Sequence, residues 1–225
     1  MTIRLTIQAA SFLLMLCTTA MVFLWVPTDA VLGISQRIFY LHVPLAWVGF
    51  LSFGIVFISS IAFLWRGTQR WDELAYASAE IGVIFMSLLL VTGVLWAKAS
   101  WQVWWTWSPQ LTTSLILWLV YIAYLMLRAY GPIGQQGARY AAVLGIIGFV
   151  DVPIVYMAAQ WWRDVHPEAV IGPLAKEGSL ETSMYITFLV SLLSFTALYT
   201  TLLTARFALH SDKRKLDHLR RQYEP

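Results

Sequence analysis

Six stretches of the chain are almost continuously apolar, at about 5–26, 43–65, 75–97, 111–130, 138–160 and 182–208. Each is long enough to cross a hydrocarbon core, which takes about 20 residues of helix. Backbone polar groups find no water to bond in lipid, so uninterrupted runs of this length specify helices rather than open strands. The pattern predicts an all-α integral membrane protein built as a six-transmembrane-helix bundle. The first run follows Arg4 and has no convincing small-residue cleavage motif near Pro27, so it reads as a retained helix. No connection announces a second folded unit. Residues 1–208 therefore read as one membrane domain and 209–225 as a charged cytoplasmic C-terminal extension.

The charges between the runs orient the bundle. With the N-terminus in the cytoplasm, Arg4, Arg66, Arg70, Arg128, Arg139, Arg206, Lys213, Arg214, Lys215, Arg220 and Arg221 lie inside, and only Arg37, Lys98, Arg163 and Lys176 lie outside. That asymmetry is the positive-inside signature of a protein with both termini cytoplasmic. The outer side then receives the loops around 27–42, 98–110 and 161–181. Composition agrees: 59% of residues are hydrophobic, 12% are charged and the mean hydropathy is +0.68. The net charge of +3 reflects basic residues at membrane edges, facing lipid headgroups rather than nucleic acid. A single cysteine, Cys17, excludes an intrachain disulfide, a thiol pair and a CxxCH attachment site for covalent haem.

The outer loops carry the candidate chemistry. The stretch Trp96–Trp107, WAKASWQVWWTW, holds five of the twelve tryptophans. Trp101, Trp104 and Trp105 follow an i, i+3, i+4 spacing, with Trp107 three beyond Trp104, which predicts an amphipathic tryptophan-rich segment lying along the outer interface. Three readings fit: a platform for a planar apolar ligand, an aromatic belt that anchors the protein, or a surface for a protein partner. Nine tryptophans, Trp25, Trp47, Trp96, Trp101, Trp104, Trp105, Trp107, Trp161 and Trp162, map to the outer half, whereas a belt is shared by both interfaces.

Two histidines share that side. His42 lies in RIFYLHVPLAW at the start of the second run, with Pro44 expected in the first helical turn, where its missing N–H costs little. His166 lies in WWRDVHPEAV beyond the fifth run, with Asp164 close by. Neutral imidazole is a common iron ligand, and two imidazoles take opposite faces of a porphyrin. The aromatic surface and paired imidazoles point to haem handling; the bland alternative is a pair of surface hydrogen-bonding groups. Arg37 and Lys98, then Arg163 and Lys176, are candidate partners for haem propionates, or simply loop-surface cations. His210 and His218 fall in the inner tail, away from this site. Glu80 and Asp151 lie inside apolar runs, so each is expected to face the bundle, take a proton or meet a polar partner. Pro153, two residues after Asp151, is placed to disturb the fifth helix.

Three blocks, Arg37–Trp47 (RIFYLHVPLAW), Trp101–Thr112 (WQVWWTWSPQLT) and Val152–His166 (VPIVYMAAQWWRDVH), resemble CcmC, the haem exporter protein C family of cytochrome c maturation. The resemblance implies a non-enzymatic protein of the bacterial inner membrane that holds haem b transiently and non-covalently on its periplasmic side. It implies His42 and His166 as axial ligands and Trp101, Trp104, Trp105 and Trp107 as the platform. It also implies delivery to the periplasmic chaperone CcmE, with the CcmA–CcmB ABC transporter and CcmD as partners. The chain departs from the usual tryptophan-rich pattern at Ser108, where an Asp is usual, and at Gln110, where an Arg is usual. There is no Walker A motif, so any ATP-driven step belongs to a partner. The competing functions are a bis-histidine electron-transfer subunit and a permease-like structural subunit without haem.

The orientation is directly testable in a Cys17→Ser background. Single cysteines introduced within 98–108 and 167–178 are expected to react with an impermeant thiol reagent from the periplasmic side. Preferential labelling of both regions from the cytoplasm contradicts the predicted topology.

Overall fold

The computed structural model describes residues 2–162 and 180–223. The chain forms α1 (Thr2–Ala20), α2 (Phe39–Arg66), α3 (Gln69–Trp101), α4 (Pro109–Tyr130), α5 (Gln135–Phe149), α6 (Asp151–Trp161) and α7 (Thr182–Tyr223). Six apolar helical stretches are long enough to cross a membrane, α5 and α6 together making the fifth. This is the multi-pass six-span architecture expected from the apolar runs. A π-helical turn, Met21–Trp25, closes α1, and a 3₁₀ segment, Ile34–Ile38, leads into α2.

The fifth span breaks where its sequence says it must. Pro153 has no N–H to donate and its ring crowds the carbonyl four residues earlier, that of Phe149. The regular helix stops at Phe149 and restarts at Asp151. Pro44 behaves differently from the expectation that placed it in a first turn. α2 begins at Phe39, so Pro44 lies inside the helix and strips the Tyr40 carbonyl of its usual partner. The Ser191 hydroxyl of α7 donates to that carbonyl instead, tying α7 to α2.

The closest seam in the bundle joins the antiparallel helices α2 and α3. Small residues let their backbones approach, the usual device where lipid offers no hydrophobic drive for helix association. A Cβ added at Gly49 would meet Met86 Sδ at 2.7 Å, and one at Gly82 would meet Phe53 Cε1 and Ser52 Oγ at 2.6 Å. The Ser78 hydroxyl lies 2.7 Å from both the Ser52 carbonyl and the Tyr199 hydroxyl, so α2, α3 and α7 share one buried knot. Along the same seam a Cβ at Gly93 would come within 3.0 Å of His42 Cε1. Seven residues forward on α2, from His42 to Gly49, are seven back on α3, from Gly93 to Met86, the signature of a single antiparallel register.

The opposite end of the bundle is held by charge. Asp72 receives the Arg128 guanidinium in a two-pronged contact, one prong at 2.9 Å, with the guanidinium also over the Tyr76 ring. Glu80 accepts from Arg206 Nε at 2.6 Å and lies 2.8 Å from His210 Nε2, and Glu73 Oε1 lies 2.6 Å from Arg214 Nη1. Glu80 therefore faces the bundle with polar partners. By its length of 42 residues, α7 extends about 63 Å. Its charged far end is thereby docked against the start of α3.

The seam makes a sharp comparison between two glycines on α2 and α3. Gly82→Ala forces a methyl into the Phe53–Ser52 contact and is expected to cost about 1–3 kcal/mol. Gly54→Ala places its Cβ at an ordinary 3.6 Å from Phe149 and is expected to leave stability unchanged or slightly raised. Thermal unfolding of both variants in the same lipid or detergent checks this; equal tolerance contradicts a close-packed seam.

Candidate functional site at the tryptophan-rich end

His42 stands in the first turns of α2 and is 8% exposed. Its Nδ1 lies 3.0 Å from Thr92 Oγ1 of α3. The Trp96 ring, one turn further along α3, meets the imidazole edge-on at a centroid distance of 5.5 Å. Gly93 opens the space in which the ring lies. Trp96 also contacts Phe39 at 6.4 Å and Trp101 at 6.2 Å, so His42, Trp96 and Trp101 form one continuous aromatic run down the end of α3. Trp96 is buried, and its indole N–H has no acceptor among the described residues.

The tryptophan segment is not the amphipathic helix that its spacing predicted. Gln102 takes a left-handed conformation, φ 62°, and caps α3 through its N–H to the Lys98 carbonyl at 3.2 Å. Helix does not resume until Pro109, and Ser108 before it is extended, as the residue preceding a proline prefers. Residues 102–108 thus form an irregular connection. Trp101 stays with the buried run, while Trp104 and Trp107 are 57% and 75% exposed. Trp105 is half-buried and packs edge-on against Trp107 at 5.7 Å, with its N–H lacking an acceptor among the described residues. An interrupted backbone fans the indoles apart, where a helix would have aligned three of them on one face.

The candidate cations frame this end. Lys98 Nζ donates to the Gln102 carbonyl at 3.2 Å and sits 5.6 Å from the centroid of Trp104, so it both locks the helix end and faces an indole. Arg37 lies in the 3₁₀ segment, its guanidinium 5.7 Å over the Phe23 ring and its buried Nε without an acceptor among the described residues. The loop before it is fixed by Asp29, whose Oδ1 accepts the N–H groups of Val31 and Leu32 at 2.8 and 2.7 Å. Ser35 Oγ reaches Ser100 Oγ at 3.3 Å, bringing the Arg37 segment beside the end of α3. Ser108 Oγ is buried without a partner among the described residues.

His166, Arg163 and Lys176 lie outside the described residues. Trp161 and Trp162 close α6 as an exposed edge-on pair at 5.8 Å. His210 is engaged with Glu80, about 18 Å along α3 from Thr92, so it belongs to the other end of the bundle. Asp151 has one buried carboxylate oxygen with no partner among the described residues. Among the described residues no three His, Cys, Asp or Glu side chains converge as a polydentate metal site. Thr92 and Gly93 are the contacts that sequence reasoning did not single out, and Trp96 counts in the tryptophan stretch without an assigned contact to His42. The available signal for the first two was a Thr-Gly pair in an otherwise apolar helix, one turn before a tryptophan.

A family model aligns with nearly all of this framework, and the relatives with about three quarters to four fifths of it. The family model for heme exporter protein C matches residues 1–222. Heme exporter protein C of Bradyrhizobium diazoefficiens is 36% identical over 177 residues, covering 78% of this chain and 66% of that protein. That of Haemophilus influenzae is 34% identical over 182 residues, covering 80% and 73%. A ccmC-like mitochondrial protein of cytochrome c biosynthesis from Marchantia polymorpha is 32% identical over 173 residues, covering 76% and 72%. The alignment thus spans about two thirds of the first relative's length and somewhat more of the others. With a family match over almost its whole length and these identities, the chain belongs to the heme exporter protein C family, CcmC.

Proposed function

We propose that this protein captures haem non-covalently at its tryptophan-rich end and presents it to the periplasmic chaperone CcmE during c-type cytochrome biogenesis. Membership of the haem exporter family supports the general role. The observation that carries the site is the buried His42 imidazole set in a run of indoles, with Trp96 and Trp105 N–H groups and Arg37 Nε lacking acceptors among the described residues. Unsatisfied buried donors are costly, so a ligand bearing anionic oxygens fits them. A porphyrin supplies four equatorial nitrogens to its iron, so the protein need contribute only axial donors. The residues present fit that cargo.

His42 supplies one axial imidazole and His166 the second. Trp101, Trp104, Trp105 and Trp107 shield and orient the macrocycle through its faces and edge rather than as one flat wall, since the connection that bears them is irregular. Arg37 and Lys98 steer the propionates; Lys98 has donors beyond the one given to Gln102. In the membrane the site faces the periplasm and both termini face the cytoplasm. CcmA–CcmB supplies the ATP-driven step and CcmD completes the assembly. No covalent chemistry is required of this chain, so it is a handling protein rather than an enzyme.

The test is acceptor-dependent transfer. Purified haem-loaded protein, combined with apo-CcmE and then with the complete transporter assembly, is expected to yield holo-chaperone. Replacing Trp101, Trp104, Trp105 and Trp107 together by alanine is expected to lower haem retention and transfer, while Trp65→Ala, an exposed indole at the opposite end, leaves both intact. Equal haem occupancy in correctly inserted variants favours a simple aromatic belt. Haem retention with no delivery by the complete assembly, accompanied by electron exchange with a redox partner, favours an electron-transfer subunit.

A further inference from the structure

The Thr92 hydroxyl carries two contacts whose directions constrain each other. Its Oγ1 lies 2.8 Å from the Leu88 carbonyl and 3.1 Å from that of Leu89, and 3.0 Å from His42 Nδ1. A hydroxyl has a single proton and two lone pairs. Carbonyl oxygens only accept, so that proton is directed to the helix backbone. Toward the imidazole, Thr92 can then only accept. His42 Nδ1 must carry the proton, and the lone pair of the neutral ring falls on Nε2.

Resting on the reading of His42 as an axial haem ligand, we infer that Thr92 is a positioning residue: it fixes His42 in the Nδ1–H tautomer and aims Nε2 at iron. Which ring nitrogen ligates is set by the hydrogen bond at the other one. A histidine without that bond is free to protonate at Nε2 or to rotate, and either loses the ligand. Two neighbours on α3 restrict rotation. Gly93 leaves just enough room for the ring, and the edge-on Trp96 limits it from the next turn. Thr92, Gly93 and Trp96 therefore act together along one turn of α3, with Thr92, of these three, selecting the tautomer. The partner is a neutral hydroxyl rather than a carboxylate, so it orients the imidazole without placing a second charge beside it.

The experiment uses the full chain in lipid nanodiscs with ¹⁵N-labelled histidine. The ring nitrogens of His42 are assigned by their loss in His42→Gln, and ferric haem affinity is measured by titration. In the haem-free native protein the shifts are expected to report a neutral ring protonated at Nδ1. Thr92→Val, nearly isosteric but without the hydroxyl, is expected to shift the population toward Nε2–H and to weaken haem binding about 10- to 100-fold. Thr92→Ser is expected to restore both. Thr92→Ala replaces the valine variant if the latter does not insert and fold. A native tautomer in the hydroxyl-free variant, or a changed tautomer with native haem affinity, overturns the inference. Weaker binding with an unchanged tautomer also overturns it, because that pattern marks a packing effect. His42→Gln separates this failure from that of the parent reading. If His42→Gln binds haem with native affinity, ligation by His42 itself is wrong. If His42→Gln loses haem while Thr92→Val keeps both tautomer and affinity, only the role of Thr92 is wrong.

Discussion

The close approach of α2 to α3 is the constraint on which the rest of the molecule depends. In lipid, apolar side chains gain little by meeting each other rather than acyl chains, so two helices stay together through contact distance and interhelical hydrogen bonds. Gly49 and Gly82 allow the contact, and the Ser52–Ser78–Tyr199 knot satisfies its polar groups in the dry interior. The same register continues to the tryptophan-rich end, where Gly93 admits the His42 ring and Thr92 binds it. Packing and ligand geometry are thus one problem. A shift of α2 along α3 by one residue would break the serine knot and remove His42 from Thr92 together.

The two ends of the bundle solve opposite electrostatic problems. At the charged end, Asp72, Glu73 and Glu80 on α3 are each met by an arginine from another helix, Arg128 of α4 and Arg214 and Arg206 of α7, with His210 of α7 also against Glu80. Truncating one member of such a partly buried pair leaves the other uncompensated, so these contacts fix where α7 lies against α3. At the tryptophan-rich end the pattern reverses: indole N–H groups and Arg37 Nε are buried without acceptors among the described residues. One end is cross-braced by ion pairs between helices and serves as a frame. The other holds donors in reserve, which suits a surface that takes up and releases an anionic planar molecule.

Much of the fold was legible because lipid enforces it. Apolar runs long enough to span, with a break at Pro153, specified the number and extent of the helices. The clustering of tryptophans and the position of His42 marked a candidate end in the sequence, and the structure brings His42, Trp96 and Trp101 together there. What periodicity could not convey was the local backbone between Trp101 and Pro109. The i, i+3, i+4 spacing is compatible with a helix, but Gln102 in a left-handed cap and the restriction before Pro109 end one helix and delay the next. Pro44 misled in a similar way, because the helix start depends on the 3₁₀ turn at Ile34–Ile38 and the freed Tyr40 carbonyl accepts from the hydroxyl of a distant serine, Ser191. Thr92 and Gly93 carry only a weak local signal, the Thr-Gly pair one turn before Trp96. Their meaning comes from the antiparallel register, which is a tertiary property.

The central proposal is that His42 and His166 ligate one haem. Low-temperature electron paramagnetic resonance of the ferric, haem-loaded full chain tests it most directly, because the spin state and rhombicity report the axial donors. The account calls for a low-spin bis-imidazole spectrum that turns high-spin or changes axial character in each of His42→Ala and His166→Ala, in variants shown to be folded and inserted. An unchanged low-spin spectrum in the folded double variant would contradict it.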